Sequence, residues 1–345
     1  MKKISGFIVI IILMMNLTAC GTASDTKVSL TNYCFDTTVT ITIYSYSGES
    51  DAEDIINGCF GLCNHYESLL SRTIEDSDVS KINNSNGQPT EVQQIVAQII
   101  NDSLEYSRLS DGAFDITIAP LTSLWDIKNN TGTIPSDQNI NSALKHIDYN
   151  TISVDEEFVT LSDKKAQIDL GGIAKGFVAD KLKSFMVSEG VTSAIIDLGG
   201  NILTIGGKSS SDDFKIGIKK PFSENASDYA ATINLSDKSV VTSGIYERYF
   251  EKDGKIYHHI LDTKTGFPVE NNLYSVTIIS GTSEAGDALS TSAFALGLDK
   301  GKELINSLDK TEAIFITNEN KIVLTDGLEI NEDHEISFIE ESTEE

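Results

Sequence analysis

Three stretches of this chain carry side chains whose types and spacing could do chemistry. The first is Ile168-Asp169-Leu170-Gly171-Gly172-Ile173-Ala174-Lys175-Gly176. The apolar residues of 166–170 suit a short strand, whereas Ile173, Phe177, Val178, Leu182, Phe185 and Met186 fall at helical spacing. Gly171 and Gly172 between them let the backbone turn tightly and let a ligand come close. Such a turn aims free backbone N–H groups and the positive end of a helix at one point, which suits phosphate. Lys175 adds a mobile positive charge one turn in, and Asp169 offers a carboxylate to a donor group or a metal. The same residues would also serve a turn that merely joins a strand to a helix.

The second stretch is Ser283-Glu284-Ala285-Gly286-Asp287-Ala288-Leu289-Ser290-Thr291. On a helix, Glu284, Asp287 and Thr291 share one face. Carboxylate and hydroxyl oxygens are what Mg²⁺ takes, with waters and phosphate oxygens as further ligands. The alternative is a plain helix start, with Ser283 as cap, Glu284 as a first-turn acid and Thr291 bonded back to the helix. The third stretch holds His258 and His259, adjacent in a hairpin expected over 247–260 with its turn at Asp253-Gly254. Adjacent strand residues point to opposite faces, so at most one ring faces a given pocket. A neutral imidazole there could act as general base on a hydroxyl; the other reading is a structural hydrogen bond. There is no Gly-x-Ser-x-Gly elbow and no zinc-protease histidine pair, which leaves a hydrolase triad or a zinc centre without support.

The frame for these groups mixes helices with long antiparallel runs. Alternation predicts strands over 35–44, 193–198, 202–205, 214–219, 229–235, 239–243, 274–280, 313–317 and 321–324, and a hairpin over 151–161. Helical spacing predicts helices over 51–70, 173–186, 283–297 and 300–308. A further helix follows a capping box of Thr90 and Gln93, and Ser136 caps a small one. Regular βαβ alternation is missing, so the fold class is α+β: mixed antiparallel sheets with helices, packed as two lobes around a cleft. At 40% hydrophobic residues, 345 residues can fill a real core. A net charge of −26 excludes nucleic acid binding through a basic face. It also means that a polyphosphate must be met by a few local cations or a divalent metal. Cys34, Cys59 and Cys63 read as buried apolar side chains, not as a disulfide framework.

The first residues read as an address. Lys2 and Lys3 precede the apolar run 7–15, and Leu17-Thr18-Ala19-Cys20 resembles a bacterial lipobox. That resemblance implies removal of 1–19, lipidation of Cys20 and a tether over 20–30. The domain of 31–328 would then stand on the extracytoplasmic face of the cytoplasmic membrane, anchored by lipid, with an acidic tail over 329–345.

Six motifs in order carry a wider resemblance. They are Asp111-Gly-Ala-Phe-Asp-Ile-Thr117 with Pro120 and Trp125; the Asp169–Gly176 turn; Asp197-Leu-Gly-Gly-Asn201; Thr242-Ser-Gly244; His259-Ile-Leu-Asp262 with Gly266; and Asp287-Ala-Leu-Ser-Thr291. In this order they resemble the ApbE family of FAD:protein FMN transferases, from about residue 35 to 297. The resemblance implies a T-fold-like domain and a Mg²⁺-dependent enzyme that cuts FAD. FMN would pass to a Thr hydroxyl of flavoprotein subunits in membrane redox complexes, with AMP released. It places flavin contacts at Ala113, Phe114 and Asp115, further FAD contacts at Phe35, Thr73 and Ile260, and nucleotide and phosphate contacts at Asp169 and Lys175. Asp287, Thr291 and the Gly172 carbonyl would hold the metal, with Glu284 as a further ligand where some members carry Asp. Relatives often have Met-Gly-Thr where this chain has Phe35-Asp36-Thr37. His259 is the candidate base and Asp287 the alternative. An FAD pyrophosphatase and a non-catalytic flavin-binding lipoprotein are the rival functions.

Overall fold

The computed structural model describes residues 27–339 apart from 131, 210, 211 and 226. The expected leader, Cys20 and most of the tether lie outside the described residues. Among the described residues, no helix is long and apolar enough to cross a membrane.

An eight-stranded sheet runs through the molecule in the order Val28–Cys34, Thr37–Tyr46, Val191–Leu198, Asn201–Ile205, Ser239–Gly244, Leu273–Ser280, Glu312–Thr317, Ile322–Leu324. Every neighbouring pair is antiparallel. One sheet therefore joins the first half of the chain to the second. Strand Glu312–Thr317 shows how it is packed, because its side chains alternate between faces. Ala313 and Phe315 join the core beneath the helices Ser283–Leu296 and Leu298–Asn306. Ile314 and Ile316 point the other way, into a core shared with a four-stranded sheet that includes Phe214–Lys219 and Tyr229–Leu235. The helices Ala52–Leu70, Gln94–Leu109 and Ala174–Ser188 cover the first half of the large sheet. The layers are thus helix, sheet and sheet, as the α+β reading requires.

Several boundaries differ from those read in the sequence. The first strand begins at Val28, inside the expected tether, and Phe35-Asp36 is not strand at all. These two residues form the tight turn between the first two strands, with φ of 51° and 57°. Side chains rarely accept that conformation. Glu67 holds the turn: its carboxylate accepts from Phe35 N at 3.0 Å and from Cys34 Sγ at 3.1 Å. At the other end, Leu328–Ile330 and Glu335–Phe338 extend the small sheet, the latter parallel to Tyr229–Leu235, so the ordered fold runs past the expected start of the acidic tail. The segment 166–170 is not a strand of any sheet; it runs beside 116–118, bridging at Gln167 and donating from Asp169 N to Ile116 O at 2.7 Å. Thr90 lies in a short strand rather than in a capping box, and Gln93 N is capped by Asp78 from a neighbouring helix, at 2.9 Å. The hairpin of Tyr249–Lys252 and Lys255–His258 turns at Asp253-Gly254, as the sequence indicated.

Candidate functional site

Two helices, Ala174–Ser188 and Ser283–Leu296, are brought into close contact by one missing side chain. A Cβ on Gly176 would stand 2.2 Å from Ser283 O and 2.8 Å from Asp287 Cβ. With none there, Gly176 N donates to Asp287 Oδ2 at 2.9 Å. Asp287 is 4% exposed, and its carboxylate also meets Lys175 Nζ at 3.2 Å and 3.4 Å. The same ammonium reaches Gly171 O at 3.4 Å. Gly172 lies beside it, where a Cβ would sit 3.0 Å from the Phe114 ring and 3.7 Å from Thr291 Oγ1. The glycine turn, Lys175, Asp287 and Thr291, dispersed over more than a hundred residues, thus converge.

The donor set around Lys175 and the glycine turn is one buried carboxylate, the Thr291 hydroxyl and the Gly171 carbonyl. Among the described residues, no three His, Cys, Asp or Glu side chains gather into a metal-holding group. A site with one carboxylate suits an ion that takes its remaining ligands from water and phosphate, which is the habit of Mg²⁺. The Lys175 ammonium already stands as a cation against Asp287, so the residues fit a hard cation.

The two histidines have different surroundings, although the strand ends at His258 and His259 lies just beyond it. His258 is buried edge-on against Phe294, their ring centres 5.8 Å apart. Its Nε2 bonds Val269 O at 3.0 Å and its Nδ1 accepts from Ile260 N at 3.3 Å. Burial pushes it down to about 4, so it stays neutral and structural. His259 is half-buried, and its Nδ1 bonds Arg248 O at 3.2 Å. A carbonyl can only accept, so Nδ1 carries the proton and Nε2 keeps a free lone pair. Burial first, then the Arg248 cation, pushes His259 down to about 3, and Lys175 acts in the same direction. His259 thus lies within the field of Lys175.

Other expected residues have different partners. Asp169 is engaged by protein: Oδ2 accepts from Arg72 Nε at 2.8 Å and Thr122 Oγ1 at 3.0 Å, and Oδ1 from Gly171 N at 2.9 Å. It shapes the glycine turn and orients Arg72, whose Nη1 also donates to Ser123 Oγ at 3.0 Å. Arg72 was not singled out from sequence. The available signal was that it is one of three arginines in a strongly acidic chain. Thr73 is exposed beside it, its hydroxyl 2.9 Å from Ser71 Oγ. Asp115 turns inward, accepting from Thr117 N and Oγ1 at 2.7 Å and from Tyr149 N at 2.9 Å, while burial pushes its carboxyl up. It organises the loop that presents half-buried Ala113 and buried Phe114, the latter against Gly172. Ile260 is buried behind His259, and Phe35 is half-buried in its turn.

Glu284 has surroundings of its own: helical spacing put it on one face with Asp287, but the charged groups that act on its carboxyl are Asp102 of helix Gln94–Leu109, Asp180 and Lys181. Burial first, then these two carboxylates, pushes Glu284 up to about 8. Nor does Ser283 cap its helix through its side chain: Asp180 accepts from Ser283 N and Glu284 N, both at 2.9 Å. Thr291 is not bonded back to the helix; its hydroxyl meets Ser243 Oγ at 3.2 Å.

Comparison with known proteins gives one consistent result. A model of the ApbE family matches residues 35–315. The chain is similar to an FAD:protein FMN transferase of Klebsiella pneumoniae, 36% identical over 297 residues that span 82% of this chain and 92% of the relative. A Treponema pallidum protein of the same name is 29% identical and covered to 93%, as is this chain. The fold is similar to that of the ApbE protein of Thermotoga maritima, with a TM-score of 0.81 and 31% identity over 87% of this chain and 97% of that one. The flavinyl transferase ApbE of Pseudomonas stutzeri, in apo form, gives 0.76 and 28% over 90% and 96%. This chain belongs to the ApbE family.

Proposed function

We propose that the chain is a Mg²⁺-dependent FAD:protein FMN transferase that cleaves FAD and joins FMN through a phosphoester to a Thr hydroxyl of an acceptor flavoprotein. The family match supports transfer of FMN from FAD to protein. The observation that carries the site reading is the 3.2 Å approach of Lys175 to Asp287 at the glycine turn. In the reaction, the acceptor hydroxyl oxygen bonds to the FMN phosphorus. The bond from that phosphorus to the bridging oxygen breaks, and AMP leaves with the bridging oxygen.

The chain's own residues supply three things. Lys175, about a quarter exposed, can turn its ammonium from Asp287 to a phosphate oxygen as the dinucleotide enters. The amides of the turn and the helix end that follows it favour the same negative charge. His259 holds Nε2 unprotonated to take the hydroxyl proton, and the anionic substrate offsets the Arg248 and Lys175 charges that depress its basicity. Asp287, Thr291 and the Gly172 carbonyl are the groups that would hold Mg²⁺. When bound, the ion neutralises charge on the pyrophosphate oxygens. Asp287 is less suited to be the base, because Lys175 and Gly176 N already occupy its oxygens.

The leader and the lipobox-like ending at Cys20 support a lipid anchor and an extracytoplasmic location, where flavoprotein subunits of membrane redox complexes would be the acceptors. Incubation with FAD, Mg²⁺ and a Thr-bearing acceptor domain should add one FMN to the acceptor's mass. Free FMN and AMP with no adduct on any such acceptor would point instead to a pyrophosphatase. FAD binding without turnover would point to a binding protein.

A further inference from the structure

Thr291 has a single hydroxyl proton. To ligate a cation through its oxygen, it must send that proton elsewhere. Its hydrogen-bond partner among the described residues is Ser243 Oγ at 3.2 Å. Ser243 lies at the end of strand Ser239–Gly244 and also meets Ser290 Oγ at 2.9 Å. Ser290 is 0% exposed and donates to the backbone carbonyl of Asp287 at 3.0 Å. Four residues, two of them the expected metal ligands, are thus linked in one line of hydroxyls that ends on a carbonyl.

A carbonyl only accepts, and that fixes the direction of every link. Ser290 spends its proton on Asp287 O, so its oxygen must accept from Ser243. Ser243 has then used its own proton, and its oxygen accepts from Thr291. The lone pairs of Thr291 are left facing away from Ser243, on the side of Gly172. The opposite direction would aim the Thr291 proton at the cation.

We infer that Ser243 and Ser290 are positioning residues that polarise the Thr291 hydroxyl so that its oxygen can bind the metal. Neither touches the ion or the substrate. The inference rests on the Mg²⁺ reading of the site, and the relay starts and ends on its two side-chain ligands. The backbone carbonyl of Asp287 anchors the relay while its carboxylate takes the charge, so one helical turn sets both donors.

The test reads metal binding rather than turnover. Mn²⁺ is titrated into the protein, alone and with FAD, and the free ion is counted by its electron paramagnetic resonance. Ser243→Ala should weaken binding by about 10-fold or more, in the range typical of groups that orient a metal ligand. Ser290→Ala should weaken it less, because Ser243 keeps its oxygen. Ser243→Thr, which restores the hydroxyl, should bind nearly as the wild type does. Thermal melts identify any variant that has lost its fold, and Ser243→Thr against Ser290→Ala still decides the matter if Ser243→Ala has. Wild-type protein that binds Mn²⁺ while Ser243→Ala binds it equally would overturn the relay alone. Wild-type protein that binds none would overturn the metal reading beneath it.

Discussion

Helix Ser283–Leu296 carries two acids three residues apart whose surroundings are opposite. Asp287 meets a lysine and a backbone N–H. Glu284 meets the carboxyls of Asp102 and Asp180. Both are largely withdrawn from water, where a lone carboxylate is costly unless paired. Asp287 is paired with charge that a ligand could replace. Glu284, with Asp102 and Asp180 nearby, escapes the cost by holding a proton. An acid paired with a lysine and an acid that has given up its charge look alike in a sequence. Only the neighbouring helices distinguish them.

The sharpest way to break this contrast is Asp287→Asn. It keeps the shape but removes the charge that faces Lys175, and FMN transfer at saturating Mg²⁺ should fall on the order of 10²–10³-fold. A rate within a few-fold of wild type would place the metal and phosphate elsewhere.

The histidine pair offers the next contrast. His259→Gln should slow transfer by about 10²-fold, the usual worth of a general base. His258→Gln should leave the rate nearly intact but cost about 1–3 kcal/mol in chemical unfolding, through its two buried hydrogen bonds. Both rings are held below the ordinary histidine value, so the unfolded chain takes up protons before the folded one does. Their contribution to stability is therefore present above about 6.5 and declines as pH falls toward 3–4. Calorimetric melts between pH 7 and pH 4 should show that decline, steeper in wild type than in His258→Gln.

The smallest effect belongs to Glu284. Its folded carboxyl is raised from an ordinary 4.5 to about 8, so its proton stabilises the fold below 4.5 and that contribution is lost as pH rises through 8. Glu284→Gln mimics the protonated acid. It should melt a few degrees higher than wild type at pH 9, melt alike at pH 5 and transfer FMN at the wild-type rate. A large loss of transfer would return Glu284 to the metal site.

Much of the site was legible because its parts are local. A double glycine before a helical period announces its own turn, and the sequence placed His258 at the end of a hairpin with His259 next to it. What the sequence could not show was pairing across the fold. Asp169 read as a free ligand because Arg72 lies 97 residues away, at the end of another helix. Glu284 read as a neighbour of Asp287 because spacing fixes a face of the helix but not where a three-bond side chain reaches. Phe35-Asp36 read as strand because phenylalanine is a poor signal for positive φ, and the tie to Glu67 that holds the turn is tertiary. The stretch 166–170 was apolar for burial, without a sheet to join.

The most direct test is a crystal of the protein soaked with FAD and Mn²⁺ and read by anomalous scattering. The site described here predicts one peak in contact with Asp287, Thr291 and the Gly172 carbonyl, with the FAD pyrophosphate against Lys175. A peak among Asp102, Asp180 and Glu284, or a dinucleotide bound away from Lys175, would contradict it.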